Sequence, residues 1–311
     1  MTLFKLNPDS PDLSNGSILS IGNFDGVHLG HQSLCEQLNH LTSTTKRPSV
    51  ILLFEPQAKE FFARPKKYER ILSLREKIYC LKHLKIDYVY CLDFNHNTAN
   101  MSADDFLYNV LIHTLKATHL VLGHDFHCGH QRQGDPRYLN QAVNKYGCQI
   151  DWVADKLMHR SRISSTAIRQ YLVAGDLENA SCLMGRPYFV IGRVNYGRQL
   201  AREWGVPTAN IAVFHKKQLL RGVFCVRIYH EHSGKSYQGV ANLGFKPTVH
   251  GQEFLLEVHL FDFNASLYGH RLQVFFLHQL RDEQKFENLS ALKCQILKDV
   301  TAAKMYFEHN N

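Results

Sequence analysis

The pattern of the chain changes once, near residue 184, and this change limits the folds that it can adopt. Before that point, short apolar runs alternate with segments whose apolar residues recur at helical spacing. After Gly185-Arg-Pro187, six strand-like runs follow one another with turns between them, and a helical pattern returns only at Leu289. We therefore predict two domains, residues 1–183 and 184–311, each long enough to bury a core of its own.

The alternation in the first domain predicts an α/β fold, a Rossmann-like parallel sheet with helices on both faces. In such a sheet, ligands bind beyond the carboxyl ends of the strands, so candidate site residues should follow the strands directly. An irregular lead-in is expected ahead of the sheet. The predicted strands are the apolar runs at residues 18–21, 49–54, 87–92, 119–122 and 148–153, after a lead-in over 1–16.

The second domain is predicted to be a six-stranded antiparallel β-barrel, because its short strands succeed one another without intervening helices. A terminal helix with one apolar face ends this domain. The predicted strands are residues 188–194, 208–213, 222–229, 237–242, 254–261 and 272–277. The apolar face of the terminal helix consists of Leu292, Ile296, Val300 and Ala303.

Two histidines lie between the first predicted strand and the helix that follows it. His28 and His31 flank Gly30 at a helix N-terminus, whose unpaired N–H groups and dipole favour anions. Gly22 and Gly26 precede them and allow a ligand to approach the backbone closely. These residues indicate a phosphate site. Chance is an alternative, since the chain has 19 histidines, and zinc is another, although no Cys pair or Glu stands nearby at ligand spacing.

A second helix N-terminus is predicted in the stretch Ile163-Ser-Ser-Thr-Ala-Ile-Arg169. Ser165 and Thr166 offer hydroxyl and backbone N–H donors, and Arg162 and Arg169 bracket them. Guanidinium groups suit phosphate oxygens, so this stretch also favours phosphate binding. The alternative is an ordinary helix N-cap, which serine and threonine commonly provide.

The composition favours small anionic ligands in a reducing compartment. The net charge is +8, but the basic residues are dispersed, which favours small phosphates over nucleic acid. The eight cysteines form no C-x-x-C pair, which predicts buried free thiols in the cytoplasm. No signal peptide opens the chain and no apolar run reaches transmembrane length, so we expect no membrane partner.

Motifs spread over both domains carry a resemblance to a known family. Each motif is weak by itself, but their order and spacing make the match specific. The clearest are Gly22-Asn-Phe-Asp-Gly-Val-His-Leu-Gly-His31, Leu74-Arg-Glu-Lys77, Gly123-His-Asp-Phe126, Ile163-Ser-Ser-Thr-Ala-Ile-Arg169, Gly205-Val-Pro-Thr-Ala-Asn210 and Leu256-Glu-Val-His259. From about residue 17 to residue 307, the chain resembles the bacterial bifunctional riboflavin kinase/FAD synthetases.

The resemblance implies two successive reactions. The second domain phosphorylates riboflavin with ATP and so makes FMN. The first domain then transfers an adenylyl group from a second ATP to FMN, which gives FAD and pyrophosphate. Both reactions use Mg²⁺ in this family. Riboflavin, FMN, FAD and ATP are therefore the expected partners, and Mg²⁺ is the expected cofactor.

For adenylyl transfer, the resemblance implies an ATP site and an FMN site. The matching ATP-binding residues are Gly22, Phe24, His28, His31, Arg162, Ser165, Thr166 and Arg169. His28 and His31 are the expected catalytic donors to the phosphates. The FMN phosphate is already an anion, so positioning and charge stabilisation matter more than a strong base. Asp125 and Phe126 match the flavin-facing loop of the family.

For riboflavin phosphorylation, the resemblance implies a carboxylate base, since the ribityl hydroxyl must lose a proton. Glu257 matches the catalytic glutamate, and we expect it to face the metal site across the closed barrel. Thr208 and Asn210 match ligands of Mg²⁺ and nucleotide phosphate, and Gly197 matches the ATP-binding residues. By pattern alone, Glu257 is better explained as an outward polar residue of a strand, and Asn210 could be a turn residue.

Several positions depart from the family pattern. Ala201 replaces a glycine in the loop expected over the ATP phosphates, and Gln57-Ala58 replaces a more usual His/Gln-Pro pair. His127-Cys128 and His130 stand where Arg-Phe and Arg are commoner in the flavin loop. We expect these changes to weaken ATP or FMN binding while both chemical centres are kept.

Three other functions compete with this interpretation. The first is an enzyme with one activity and one degenerate domain. The second is a nucleotidyltransferase directed to another substrate, such as an amino acid or a tRNA, although the motif Pro207-Thr-Ala-Asn210 argues against it. The third is an RNA-binding protein that uses the barrel as its binding module, against which the dispersed charge argues.

Overall fold

The described part of the chain forms two compact units. The computed structural model describes residues 3–5, 13–63, 68–158, 161–196, 204–213, 219–248 and 251–310. The first unit comprises Met1–Tyr68 and Lys77–Ser164, and the second comprises Glu69–Glu76 and Ser165–Asn311. The second unit thus takes in the stretch just before residue 184. Compactness alone does not test the functional boundary, which stays a prediction.

A six-stranded sheet forms the centre of the first unit, in the order β1-β4-β3-β2-β5-β6. Its strands are β1 (Leu3–Lys5), β2 (Ser17–Ile21), β3 (Ser49–Glu55), β4 (Tyr88–Asp93), β5 (Ala117–Gly123) and β6 (Gln149–Val153). Strands β2 to β6 are parallel, which confirms the predicted Rossmann-like sheet. The antiparallel edge strand β1 lies in the predicted irregular lead-in. Three residues are too few to show a periodic pattern.

Helices connect the strands of this sheet, as the amphipathic segments predicted. They are α1 (Leu29–Thr45), α2 (Ala58–Phe62), α3 (Leu74–His83), α4 (His96–Ala99), α5 (Ala103–Asp105), a π-helix (Phe106–Thr114), a 3₁₀ turn (His130–Arg132) and α6 (Pro136–Asn144). The hydroxyl of Ser102 accepts a hydrogen bond from the Asp105 N–H at 3.0 Å and so caps α5. A short hairpin of β7 (Leu157–Met158) and β8 (Ser161–Arg162) follows the sheet.

The order of the parallel strands reverses at β2, and this reversal decides where a ligand can bind. The chain passes from β2 to β3 and β4 on one side, and it later adds β5 and β6 on the other. Open parallel sheets bind ligands in the crevice beyond the strand ends at such a reversal. The turns that follow Ile21 of β2 and Gly123 of β5 both lie at this edge.

The second unit contains the predicted closed barrel, in the order β10-β13-β12-β11-β14-β9. All of its strand pairs are antiparallel, and pairing of β10 with β9 closes it. The strands are β9 (Tyr188–Asn195), β10 (Ala209–Ala212), β11 (Gly222–His230), β12 (Lys235–Thr248), β13 (Gly251–Leu260) and β14 (Arg271–Arg281). Helices α7 (Ser165–Val173) and α8 (Leu177–Met184) precede it, and the terminal helix α9 (Leu289–His309) follows.

Residues of the barrel alternate between its interior and its outer surface. Leu256 and Val258 of β13 are fully buried in the interior, whereas Glu257 between them is only half-buried. Val240 lies on the outer face and packs against Ala303 and Phe307 of α9. The terminal helix therefore covers part of the outer face of the barrel. Among the helices of the described segments, none is long and apolar enough to span a bilayer.

The eight cysteines are all free thiols, as predicted. Six are buried, and Cys182 and Cys294 are exposed. Burial raises the pKa of Cys35, Cys128 and Cys225 to about 12, so these thiols stay protonated near neutral pH. The buried cysteines are therefore unreactive in the folded chain and report on its folding.

Candidate functional site

The first candidate site lies where β2 passes into α1, and His28 caps the helix there. His28 is 7% exposed and has the extended backbone of an N-cap residue, with φ −74° and ψ 172°. Its Nδ1 accepts a hydrogen bond from the backbone N–H of His31 at 3.3 Å. A ring nitrogen that accepts carries no proton, so the neutral imidazole keeps its donor at Nε2. The site thus combines an imidazole donor with a helix N-terminus that favours anions.

His31 stacks on His28, with ring centroids 3.7 Å apart and an angle of 18° between the planes. Gly30 permits this arrangement, because a Cβ at this position would lie 3.2 Å from Cε1 and Nδ1 of His28. On its other side, the His31 ring contacts Phe24, with centroids 4.9 Å apart. Phe24 is 1% exposed, so it supports the histidine from within the fold.

The stacked geometry does not favour the zinc alternative. Two parallel rings do not converge on one point, and Nδ1 of His28 is already engaged with a backbone N–H. Among the described residues, no group of three or more His, Cys, Asp or Glu side chains is arranged to hold a metal ion. The pair His28 and His31 is better suited to donate hydrogen bonds to an anion.

The turn between β2 and α1 is strained. Phe24 and Val27 have φ of 45° and 40°, in the left-handed region that non-glycine residues avoid. Such conformations cost about 1–3 kcal/mol each and cluster at functional sites. Gly22 donates its N–H to the Leu52 carbonyl at 3.1 Å, and Val27 donates to the Phe24 carbonyl at 3.2 Å. These bonds fix the turn in the shape that His28 and His31 require.

Arg162, predicted to bind ATP, forms ion pairs with two carboxylates. Its Nη2 lies 2.6 Å from Oδ2 of Asp125 and 3.0 Å from Oδ1 of Asp155. The hydrogen bond with Asp125 is the largest cause that raises the pKa of the guanidinium. The side chains of Arg162 and Asp125 are 46% and 65% exposed, so each pair contributes only about 0–1 kcal/mol. A phosphate ligand can therefore displace these carboxylates at little cost.

The predicted flavin loop after β5 divides into exposed and buried parts. Asp125 is exposed, whereas Phe126 packs against the core of the first unit. Cys128 is buried and exchanges two backbone hydrogen bonds with Gly134, at 3.0 and 2.9 Å. A Cβ on Gly134 would lie 2.5 Å from the sulfur of Cys128. The unusual cysteine therefore shapes the loop from inside. Asp125 is open to a ligand, whereas Phe126 is only partly exposed.

The second predicted N-terminus begins α7, which belongs to the second compact unit. Ser165 and Thr166 form its first turn, as expected. Arg169, one turn later, donates from Nε to the Glu69 carbonyl at 3.0 Å. Arg169 and Glu69 both belong to the second unit, whereas His28 and His31 belong to the first. The role of Ser165, Thr166 and Arg169 in ATP binding stays a prediction.

The three described residues predicted for the kinase reaction line one cavity of about 330 Å³ in the barrel unit. Asn210 of β10 pairs directly with Glu257 of β13, which pairs on its other side with Asn242 of β12. Directly paired residues of antiparallel strands project from the same face. Thr208 lies just before β10 and completes the group. The expectation that Glu257 faces these residues across the barrel was wrong, because it lies on the adjacent strand.

The end of β14, the segment after it and helix α9 form the other wall of this cavity. The residues that they contribute include Arg281, Glu283, Phe286, Leu292, Ile296 and Asp299. Arg281 holds Asp299 of α9 through Nε and Nη2, at 2.9 and 2.7 Å. Burial is the main cause that raises the pKa of the Glu283 carboxyl. The cavity thus lies between the outer face of the barrel and the terminal helix.

His259 anchors the segment that carries Thr208. Its Nδ1 lies 2.9 Å from the Pro207 carbonyl oxygen, which accepts a hydrogen bond from the ring N–H. Desolvation is the main cause that lowers the pKa of this imidazole, and the charge of Lys304 adds to the effect. The sequence analysis gave His259 no role. Its position two residues after Glu257, on the same face of a strand, was the available signal.

A second cavity, of about 430 Å³, adjoins the same segment. It is lined by Val194, Pro207, Thr208, Ala209, Leu260 and the loop residues 263–268. Thr208 lines both cavities, whereas Asn210 and Glu257 line only the first. Gly197 and Ala201, expected near the ATP phosphates, lie outside the described residues.

Comparisons with known proteins identify the family to which the chain belongs. A model of the FAD synthetase family matches residues 10–167, and a model of the riboflavin kinase family matches residues 184–307. The bifunctional riboflavin kinase/FMN adenylyltransferase of Haemophilus influenzae is 41% identical over 292 residues, which cover 94% of this chain and 94% of the relative. The chain belongs to the bifunctional riboflavin kinase/FMN adenylyltransferase family. It is an enzyme with the adenylyltransferase domain first and the kinase domain second.

Two other relatives carry the same name, and one solved structure has a similar fold. The bifunctional riboflavin kinase/FMN adenylyltransferase of Pseudomonas fluorescens is 40% identical over 290 residues, covering 93% of this chain and 92% of the relative. The enzyme of that name from Escherichia coli K12 is 39% identical, with coverages of 94% and 93%. The crystal structure of a macrolide-efflux protein from Streptococcus pneumoniae has a TM-score of 0.77 and 28% identity, covering 91% of this chain and 92% of that one.

Proposed function

We propose that the first unit adenylylates FMN at the β2–α1 turn, and that the barrel phosphorylates riboflavin in the cavity beside α9. The chain would then convert riboflavin to FMN and FMN to FAD with two molecules of ATP. The observation that carries the kinase assignment is the direct pairing of Asn210 with Glu257, next to Thr208, in the wall of one cavity. The reaction requires a carboxylate base and oxygen ligands for a metal ion, and these residue types can provide them.

Riboflavin is assigned to the cavity that contains Glu257. The ribityl hydroxyl is a poor nucleophile until it begins to lose its proton, and a carboxylate within reach can accept that proton. The oxygen then attacks the γ-phosphorus of ATP, and ADP leaves. The adjoining cavity lacks Glu257 but shares Thr208, so we assign ATP to it. Thr208 would stand where the two substrates meet.

Thr208 and Asn210 are proposed to hold Mg²⁺ in the kinase site. A hydroxyl and an amide oxygen are ligands of the kind that this hard cation accepts, together with phosphate oxygens. Asn210 is 8% exposed and lies in the wall of the riboflavin cavity, which suits a ligand held at a fixed position. When bound, Mg²⁺ would neutralise part of the charge on the ATP phosphates.

Adenylyl transfer is assigned to His28 and His31 with the helix N-terminus behind them. The FMN phosphate attacks the α-phosphorus of ATP, and pyrophosphate leaves. Charge develops on oxygens around the α-phosphorus and on the leaving group, where preorganised donors stabilise it. Phe24 contacts the His31 ring, and Gly22 lies against the Phe24 ring. The remaining residues proposed for ATP are Arg162, Ser165, Thr166 and Arg169, and those proposed for FMN are Asp125 and Phe126.

The cytoplasm is the proposed location of this enzyme. Eight free cysteines, six of them buried, fit a compartment that keeps thiols reduced. ATP and the flavin substrates are the proposed partners. The dispersed positive charge, +8 in total, suits these small anionic phosphates.

Replacing Asn210 with alanine tests the metal proposal. We expect chelation of Mg²⁺ to stop both reactions, and added Mg²⁺ to restore both. In the variant, the Mg²⁺ concentration for half-maximal FMN formation should rise by about tenfold or more, because one oxygen ligand is lost. The concentration needed for FAD formation from supplied FMN should not change. An unchanged Mg²⁺ requirement for FMN formation would remove Asn210 from the metal site.

A further inference from the structure

Lys77 is a buried lysine that contacts the turn of the adenylyltransferase site. It lies in α3 and is 1% exposed, and its Nζ donates to the Asn23 carbonyl at 2.8 Å. Lysine is almost never this deeply buried unless its charge is compensated. An ammonium group has three donors and no acceptor, so a backbone carbonyl is a suitable partner. The chain therefore places a buried lysine directly against the backbone of this turn.

The carbonyl that Lys77 holds stands at the start of the strained part of the turn. Phe24 follows directly, with φ 45°, and Val27 has φ 40°. Such conformations persist only where the surrounding structure holds them. At the far end of the turn, Nε2 of Gln32 donates to the Val27 carbonyl at 3.0 Å. Lys77 and Gln32 thus hold the two ends of the same strained segment.

The conformation of this turn also sets the position of both histidines. The ring of Phe24 contacts His31, and His31 stacks on His28 with centroids 3.7 Å apart. A displacement of the Asn23 carbonyl would shift Phe24 and pass through these ring contacts to both imidazoles. Groups that donate hydrogen bonds to a reacting phosphate lose much of their effect on the rate when they are displaced by about 1 Å.

We propose that Lys77 is a positioning residue for adenylyl transfer. Its ammonium group fixes the turn so that His28 and His31 stand ready for the phosphates before ATP binds. This inference rests on the proposed function of the turn. It assigns Lys77 no contact with substrate, so its effect passes through the two histidines.

Replacing Lys77 with methionine in the full chain removes the charge and the donors but keeps most of the apolar stem. We expect kcat/KM for ATP in FAD formation to fall by about tenfold or more, as for loss of a charged hydrogen bond. FMN formation should not change. Lys82→Met, an exposed lysine on the same helix, is the matched control and should leave both activities unchanged.

The folding of the first unit is followed by thiol titration of Lys77→Met. Cys35 and Cys91 are buried in this unit and should stay protected. If they become reactive, the Lys77→Arg variant decides, because it keeps a charged donor. The proposal requires that this variant protect the thiols and retain more FAD formation than the methionine variant. Equal losses in both variants, with thiols protected, would overturn it.

A double-mutant cycle with His31→Ala separates positioning from a merely structural role. If Lys77 acts through His31, the two changes together should cost clearly less than the product of their separate effects. Independent, multiplicative effects would overturn the proposal, as would an unaltered Lys77→Met enzyme. His31→Ala alone tests the function of the turn. If it leaves FAD formation intact, the proposed site itself is wrong, whatever Lys77 does.

Discussion

Replacing Glu257 with glutamine should slow FMN formation by about a hundredfold or more, the usual scale of a general base. The amide keeps the size and most hydrogen bonds of the side chain but removes the basic oxygen. Glu257 pairs with Asn210 and lines the cavity assigned to riboflavin, so it lies among the residues proposed for the reaction. FAD formation from supplied FMN should stay near the rate of the unaltered enzyme, because the FMN phosphate needs no such base.

The Glu257 experiment has a matched control within the same domain. Glu308 is exposed near the end of α9 and does not line the cavity. Glu308→Gln therefore removes a carboxylate charge at a site outside the cavity. This control should form FMN normally. Both reactions are measured with flavins resolved by chromatography. If Glu257→Gln phosphorylates riboflavin at the normal rate, Glu257 is no base, and it returns to the role of a polar strand residue.

Replacing His31 with alanine should lower the rate of FAD formation by about a hundredfold to a thousandfold. This is the usual loss when one preorganised donor at a developing negative charge is removed. The change also removes the stacking partner of His28 and the ring contact with Phe24. FMN formation should remain nearly intact, since the barrel residues are not altered.

Three results would contradict the role of His31. One is an equal loss of both activities in a folded variant, and another is a normal rate of FAD formation. The third is loss of a bound zinc ion on substitution, measured by metal analysis, which would revive the metal interpretation. His40→Ala provides the control, because His40 lies exposed on the same helix. It should leave the rate of FAD formation unchanged.

The architecture could be predicted because both domains carry strong periodic patterns. Strand β3 is buried along most of its length, and such a continuous apolar run is typical of a parallel strand covered on both faces. The elements that escaped prediction are short. Strand β1 has three residues, and β7 and β8 have two each, too few for a pattern to emerge. The π-helical winding of Phe106–Thr114 also left no signal in the periodicity.

The site residues were predicted less completely, because their contacts join segments far apart in the chain. The motifs identified Asn210 and Glu257, but only the strand order of the barrel makes them direct neighbours. Lys77 meets the carbonyl of a residue 54 positions away, and His259 meets one 52 positions away. The motifs included both residues, but neither contact follows from local pattern, so their roles emerged only in the folded chain.

A time course with riboflavin, ATP and Mg²⁺, in which the flavins are resolved, tests whether one chain performs both reactions in sequence. We expect FMN to appear first and FAD to follow as FMN accumulates, whereas supplied FMN should give FAD without a lag. The Glu257→Gln chain should leave riboflavin unconverted, and the His31→Ala chain should stop at FMN. Riboflavin that stays unchanged in the unaltered enzyme, or FMN that never becomes FAD, would contradict the assignment of both activities to this chain.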